Sequence, residues 1–238
     1  MSTTSPVAIV TGASRGLGLA VTRALSERGW RVVVDARDGY ALEQAAGRLP
    51  GVTRIAGDLC DGSHRVVLVE AAGYGINLLV NNAGTLGPSP RPVLADYPLD
   101  VFAHVYDVNV VAPLALTQLA LPHLRASVGA VLNITSDAAV VNITSDAARE
   151  PYAGWGGYGA AKAALEQLTA ILGAEQPDVR LYSFDPGDMR TVMHQEAFPG
   201  EDISDRPLPE GSVPPLLELI SSELPSGRYS ASELAVSV

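Results

Sequence analysis

The chain has 238 residues, 47 % hydrophobic and 18 % charged, which is enough apolar material for a core and unlike a disordered or fibrous sequence. Acidic residues outnumber basic ones 26 to 16, a net charge of −10 that makes nucleic acid and anionic membrane surfaces poor partners. The length suits one α/β domain spanning 1–238. The single cysteine, Cys60, closes no internal disulfide, and no contiguous apolar run suggests a leader or a membrane span, so a cytoplasmic protein is expected.

Val7 to Val10 is a short apolar run that ends at Thr11-Gly12-Ala13-Ser14-Arg15-Gly16-Leu17-Gly18. A helical pattern with Leu17, Val21, Ala24 and Leu25 on one side follows and stops at Gly29. Arg31 to Val34 then reads as a second buried strand, so the order is that of a βαβ unit. Val52 to Ala56 and Asn77 to Val80 are further strand candidates, the second ended by Asn81-Asn82-Ala83-Gly84. Leu99 to Arg125 carries helical periodicity around Pro113, which predicts one long helix bent at that proline. A strand is expected between Val128 and Thr144, a helix over Gly159 to Gly173, and a strand over Arg180 to Phe184 broken by Pro186-Gly187. Asp188 to Pro215 is rich in proline and acid with little periodicity, and reads as a mobile flap beside a pocket. A helix over Leu216 to Leu224 and a short strand over Gly227 to Ser230 complete the pattern. Strands alternating with helices in this way imply a parallel sheet covered on both faces.

Gly12, Gly16 and Gly18 lie between strand and helix, where small residues let a pyrophosphate approach the backbone at the positive helix end. A turn that merely needs glycine at positive φ is the plainer reading of the glycines alone; the strand-turn-helix context favours dinucleotide binding. Tyr158-Gly159-Ala160-Ala161-Lys162 opens a helix and puts tyrosine and lysine four apart on one face. A lysine cation one turn away favours the phenolate, which would bring proton transfer by a group of ordinary pKa about 10 into a useful range. His64, His104, His123 and His194 lack metal-ligand spacing, so no metal is expected. Met193 and His194 either face the substrate or are solvated loop residues, the second being the plainer reading. Tyr152 and Trp155 either shape the pocket or anchor the loop before Tyr158.

Thr11-Gly12-x-x-x-Gly16-x-Gly18, Asp58-Leu59, Asn81-Asn82-Ala83-Gly84, Asn109, Tyr158-x-x-x-Lys162 and Pro186-Gly187 occur in that order. The series resembles the short-chain dehydrogenase/reductase family in its compact form, and the likeness thins only after Thr191. The resemblance implies a doubly wound parallel sheet, a Rossmann fold of three α/β/α layers. It implies an oxidoreductase that interconverts a ketone or aldehyde and its alcohol by hydride transfer. Tyr158 would be the general acid/base, Lys162 would also hold the nicotinamide ribose, and Asn109 would hold a water in the proton relay. The same motifs carry the cofactor positions: Gly12, Ser14, Arg15, Gly16, Leu17 and Gly18 in the turn, and Asp58 at the adenine edge with Leu59 beside it. Asn81, Ala83 and Gly84 would lie along the ribose, and Pro186, Gly187, Met189 and Thr191 beside the carboxamide.

In the family's NADP users a base lies at the position of Arg37 and another at Arg15, whereas NAD users carry an acid where Ala36 aligns. NADP(H) is therefore favoured over NAD(H), and Asp35, one residue away, is the position that would reverse the preference. The expected partner is a small carbonyl or alcohol, and the family's usual assembly is a homodimer or homotetramer through the long helix and the one after Tyr158. The alternative is a dinucleotide-binding sensor or scaffold without turnover.

The family also needs a serine for the substrate oxygen, and two are available. Residues 130–138 recur at 139–147 with only Leu132 changed to Val141, giving Ser136 and Ser145. Ser145 keeps the family's usual interval to Tyr158, and Ser136 keeps the usual interval from Asn109. Ser145 is favoured, because serine and tyrosine must converge on one carbonyl while extra residues before the strand cost little. In the other arrangements Ser136 serves and the second copy enlarges the site loop, or the insertion distorts the site.

Overall fold

A computed structural model describes residues 5–127, 139–222 and 224–235. The chain runs β1 (Val7–Val10), α1 (Gly16–Glu27), β2 (Arg31–Ala36), α2 (Gly39–Ala46), β3 (Val52–Ala56), α3 (Gly62–Ala72) and β4 (Ile76–Asn81). It continues with α4 (Leu99–Tyr106), α5 (Ala112–Ser127), β5 (Ala139–Ile143), α6 (Gly156–Glu175) and β6 (Arg180–Asp185). The last elements are α7 (Val192–Ala197), α8 (Val213–Ser221), β7 (Gly227–Ser230) and α9 (Ala231–Ala235). The sheet has the order β3-β2-β1-β4-β5-β6-β7, and every adjacent pair is parallel.

Side-chain alternation divides the core between the two faces of this sheet. Ala8, Val10, Val32 and Val34 meet Leu17, Val21 and Leu25 of α1 and Leu216 and Leu219 of α8. Val7, Ile9, Val33 and Leu79 meet Leu68 of α3 and Leu116 and Leu124 of α5 on the opposite face. The doubly wound α/β/α expectation is thus met. Since parallel strands all end on one side, the loops that follow them converge on one crevice beside β1 and β4, where the strand order reverses.

Three local differences from the sequence reading have physical causes. The helical stretch Leu99–Ser127 is not a plain helix bent at Pro113: a π-helical turn over Asp107–Val111 separates α4 from α5. Pro113 has no N–H to give, and its ring crowds the carbonyl four residues back, which is that of Asn109; the wider turn absorbs both. The helix expected from Leu216 begins instead at Val213, because Pro214 and Pro215 sit in its first turn, where missing N–H groups cost nothing. The 188–215 segment contains a helix, α7, capped by the Thr191 hydroxyl, which accepts from His194 N at 3.1 Å.

Leu99–Ser127 also has the length and mean hydropathy, 1.3, to cross a membrane, although no contiguous apolar run announces it. Its α5 portion lies along the sheet, with Leu116, Ala120 and Leu124 fully buried.

Candidate active site

The glycine turn is held from beneath. Gly12 and Gly16 have φ of +68° and +59°, the left-handed region that favours glycine. A Cβ on Gly12 would stand 2.9 Å from Ala83 Cα, and one on Gly18 would stand 2.6 Å from Gly12 O. The Thr11 hydroxyl accepts the backbone N–H groups of Asn82 and Ala83, each at 3.0 Å. The Asn82 amide donates in return to Thr11 O at 2.8 Å and Gly12 O at 3.2 Å. Asp35 lies buried below the turn and accepts Gly12 N at 2.8 Å; its other oxygen is 3.2 Å from His64 Nε2. The N-terminus of α1 has no side-chain cap, so its first N–H groups face the crevice with their partial positive charge.

A cavity of about 1050 Å³ runs from this turn to the start of α6. All the residues expected to bind cofactor or act in catalysis line it except Gly18, Asn81 and Asn109, with Tyr158, Lys162 and Ser145 gathered at its far end. Arg15 and Arg37 are exposed at its near end, and among the described residues neither is in an ion pair. Asp58 lines it while also accepting Cys60 N at 2.9 Å, so its turn role and its place at the cavity coexist. A Cβ on Gly159 would come within 2.5 Å of Ala147 O, so α6 packs closely on the turn that follows Ser145.

The three residues outside the lining have other work. Gly18 lets α1 approach the turn. Asn81 is buried and donates to Thr117 Oγ1 at 3.1 Å and Asn142 Oδ1 at 2.8 Å, so it ties β4 to α5 and β5 and does not face the cavity. Its neighbour Asn82 lines the cavity instead; period-two alternation along a strand puts consecutive asparagines on opposite faces, a signal legible in the sequence. Asn109 is fully buried in the π-helical turn, where its amide donates to Thr85 O at 2.8 Å and accepts from Thr85 N at 2.9 Å. It supports Thr85, which does line the cavity.

β5 is formed by the second copy of the repeat, and Ser145 lies two residues past its end, after Thr144; Ser136 lies outside the described residues. The Ser145 hydroxyl donates to Asp146 Oδ1 at 2.9 Å, and Asp146 Oδ2 accepts from Tyr152 OH at 3.1 Å. Met193 and His194 are on α7 and line the cavity, which corrects the expectation of solvated loop positions. Met193 packs with Tyr158, Leu86 and Trp155, and the His194 side chain is only 11 % exposed, 3.8 Å from Asp188.

The charge state of the pair on α6 also differs from the sequence reading. Lys162 is buried, donates to Ile143 O at 2.7 Å and lies 5.5 Å from the centre of the Tyr158 ring. Burial pushes its ammonium down to about 8. The Tyr158 phenol is pushed above its ordinary value of 10.0, chiefly by burial and then by the Asp185 and Asp146 carboxylates. The lysine therefore does not draw the phenol toward neutrality here, because loss of solvent acts on both groups. The result is a tyrosine that keeps its proton, the form that can give one away. Asp185 is in turn held by Arg228 at 2.7 Å, and Arg228 reaches Glu166 at 2.9 Å.

Comparison with known proteins agrees with this architecture. The family model for short chain dehydrogenases matches residues 6–202. A sepiapterin reductase of Meriones unguiculatus is 36 % identical over 80 % of this chain and 77 % of its own. A short-chain dehydrogenase structure from Pseudomonas syringae superposes with a TM-score of 0.85 at 31 % identity, covering 95 % of this chain and 94 % of that one. One from Shigella flexneri, complexed with NADP, gives 0.81 at 28 %, covering 95 % and 97 %. The chain belongs to the short-chain dehydrogenase family and is an oxidoreductase of CH–OH and C=O groups that works with NAD(P).

Proposed function

We propose that the protein is an NADP(H)-dependent oxidoreductase that interconverts a ketone or aldehyde and its alcohol, with Tyr158 as the general acid/base. The observation that carries this reading is a single cavity with the glycine turn, Arg15 and Arg37 at one end and Ser145, Tyr158 and Lys162 at the other. Gly12, where any Cβ would collide with Ala83, and the uncapped start of α1 fit a pyrophosphate. Asp35, although it borders the cavity, is 2 % exposed and held beneath the turn by Gly12 N and His64, whereas exposed Arg15 and Arg37 suit a 2′-phosphate. The Shigella relative, crystallised with NADP, supports the same choice. The dinucleotide supplies the hydride when bound.

In reduction Tyr158 gives its proton to the carbonyl oxygen, and burial keeps that proton in place until then. Ser145 hydrogen-bonds the same oxygen, and Lys162, fixed to the last carbonyl of β5, would hold the cofactor ribose. Asn109 acts from behind through Thr85. Residues 1–238 form one dinucleotide-binding domain in the cytoplasm, with 188–215 as its substrate-side flap. Exposed Val111 in the π-helical turn, Leu119 on α5 and Ile171 on α6 support a homodimer or homotetramer through these helices. A second reading, a sensor that binds the dinucleotide without turnover, draws on the Ser145 hydroxyl being given to Asp146.

A carbonyl panel with NADPH and NADH tests the proposal. Wild type is expected to prefer NADPH; Tyr158→Phe and Ser145→Ala are expected to lose at least about a hundredfold in kcat, and Ser136→Ala little. Arg15→Ala and Arg37→Ala are each expected to weaken NADPH about tenfold and NADH hardly at all. NADPH binding with no carbonyl reduced selects the sensor.

A further inference from the structure

We infer that the substrate end of the cavity is shaped for a ketone or aldehyde whose carbonyl carries a flat aromatic ring. This rests on the oxidoreductase reading of the same site. Beyond Tyr158 the cavity is walled by Leu86, Tyr152, Trp155, Met193 and Phe198, an apolar and mostly aromatic surface. Trp155 is its centre. Its ring meets Tyr158 at 5.8 Å and 66°, Phe198 at 5.8 Å and 46°, and Tyr152 at 6.2 Å and 60°.

The wall is also set in place before any substrate arrives. The Arg91 guanidinium lies 4.1 Å from the centre of the Trp155 ring and 5.6 Å from that of Phe198. Arg91 is not among the lining residues, and its Nε is buried without a hydrogen-bond partner among the described residues. The cation therefore backs the indole and keeps it from turning, while the aromatic edges and faces are left for the substrate. Aromatic pairs in such offset and edge geometries gain more than the burial of their area supplies, a gain that a saturated ring or chain against the same wall lacks.

Acetophenone, cyclohexyl methyl ketone and 2-octanone, matched in carbon count, separate an aromatic ring from a saturated ring and a chain. Acetophenone is expected to show a KM about tenfold below that of 2-octanone, and Trp155→Leu and Phe198→Ala are each expected to erase that ratio. NADPH titration of both variants reports whether they have folded. An independent readout is Trp155 fluorescence in a Trp30→Phe background, Trp30 being the other of two tryptophans. With NADP⁺ present, acetophenone is expected to quench it saturably at concentrations where 2-octanone does not. Saturable quenching without turnover of any ketone upholds the aromatic site and defeats the catalytic reading. Equal KM values for the three ketones, or a ratio untouched by Trp155→Leu, overturns the aromatic site while leaving catalysis standing. Neither turnover nor quenching overturns it as well.

Discussion

Asp35 accepts the backbone N–H of Gly12 at 2.8 Å from a position that is 2 % exposed. The acid that a one-residue slip in alignment would place at the ribose is instead the latch of the glycine turn. Asp35→Ala is expected to leave the Gly12 N–H and His64 without their acceptor and to cost about 1–3 kcal/mol in urea denaturation. Asp35→Asn keeps an acceptor and should cost less. Dinucleotide affinity should fall in the same order, read by fluorescence titration.

Lys162 makes stability depend on pH in a direction that can be checked. Its folded value of about 8 lies below the ordinary 10.5, so between these limits the unfolded chain binds more protons than the native one. The cost of burying the ammonium is fully present below about pH 8 and fades as pH rises toward 10.5. Wild type is therefore expected to gain about 1–2 kcal/mol relative to Lys162→Met between pH 7 and pH 9.5, measured by denaturant unfolding. Tyr158 works the other way above pH 10, where its unfolded phenol ionises first, and both proteins share that loss.

Arg228 joins three parts of the site: it contacts Asp185 at the end of β6 and Glu166 on α6, and Glu166 accepts the Thr144 hydroxyl at 2.7 Å beside Ser145. Arg228→Met would leave the Asp185 carboxylate unpaired in the cavity. A loss of about 1–3 kcal/mol is expected, reduced from that of a fully buried pair by partial exposure. The rise of alcohol oxidation with pH should also move to higher pH, since an unpaired Asp185 holds the Tyr158 proton harder.

Deleting 130–138 or 139–147 yields two chains that differ only by Val or Leu at one position. Either is expected to melt within a few degrees of the full chain and to retain turnover, because either copy supplies the β5 sequence and a shortened connection changes loop entropy little. Circular dichroism melting and NADPH oxidation check this.

Much of this architecture is legible in the order of the residues. Buried parallel strands announce themselves as apolar runs, and the motif order locates the glycine turn, Tyr158 and Lys162. α3 is harder to see, since exposed Val66 and Val67 blur its apolar stripe. The π-helical turn is hidden because Pro113 signals a disturbance without saying where the backbone takes it up. The two copies of the repeat are chemically interchangeable, so only their pairing distinguishes them: β5 lies between β4 and β6 as Ala139–Ile143. The pKa directions of Tyr158 and Lys162 depend on how much water the folded chain removes, and spacing alone carries no such information.

The bond from Ser145 to Asp146 implies that a ketone reaching this serine finds its hydrogen already spoken for. Binding is then an exchange of one acceptor for another, in which a charged oxygen is given up for a neutral one. Such an exchange holds the ground state loosely and favours the moment when the carbonyl oxygen itself turns anionic. The carboxylate beside the serine would thus sharpen the distinction between a molecule that is merely resting there and one that is reacting.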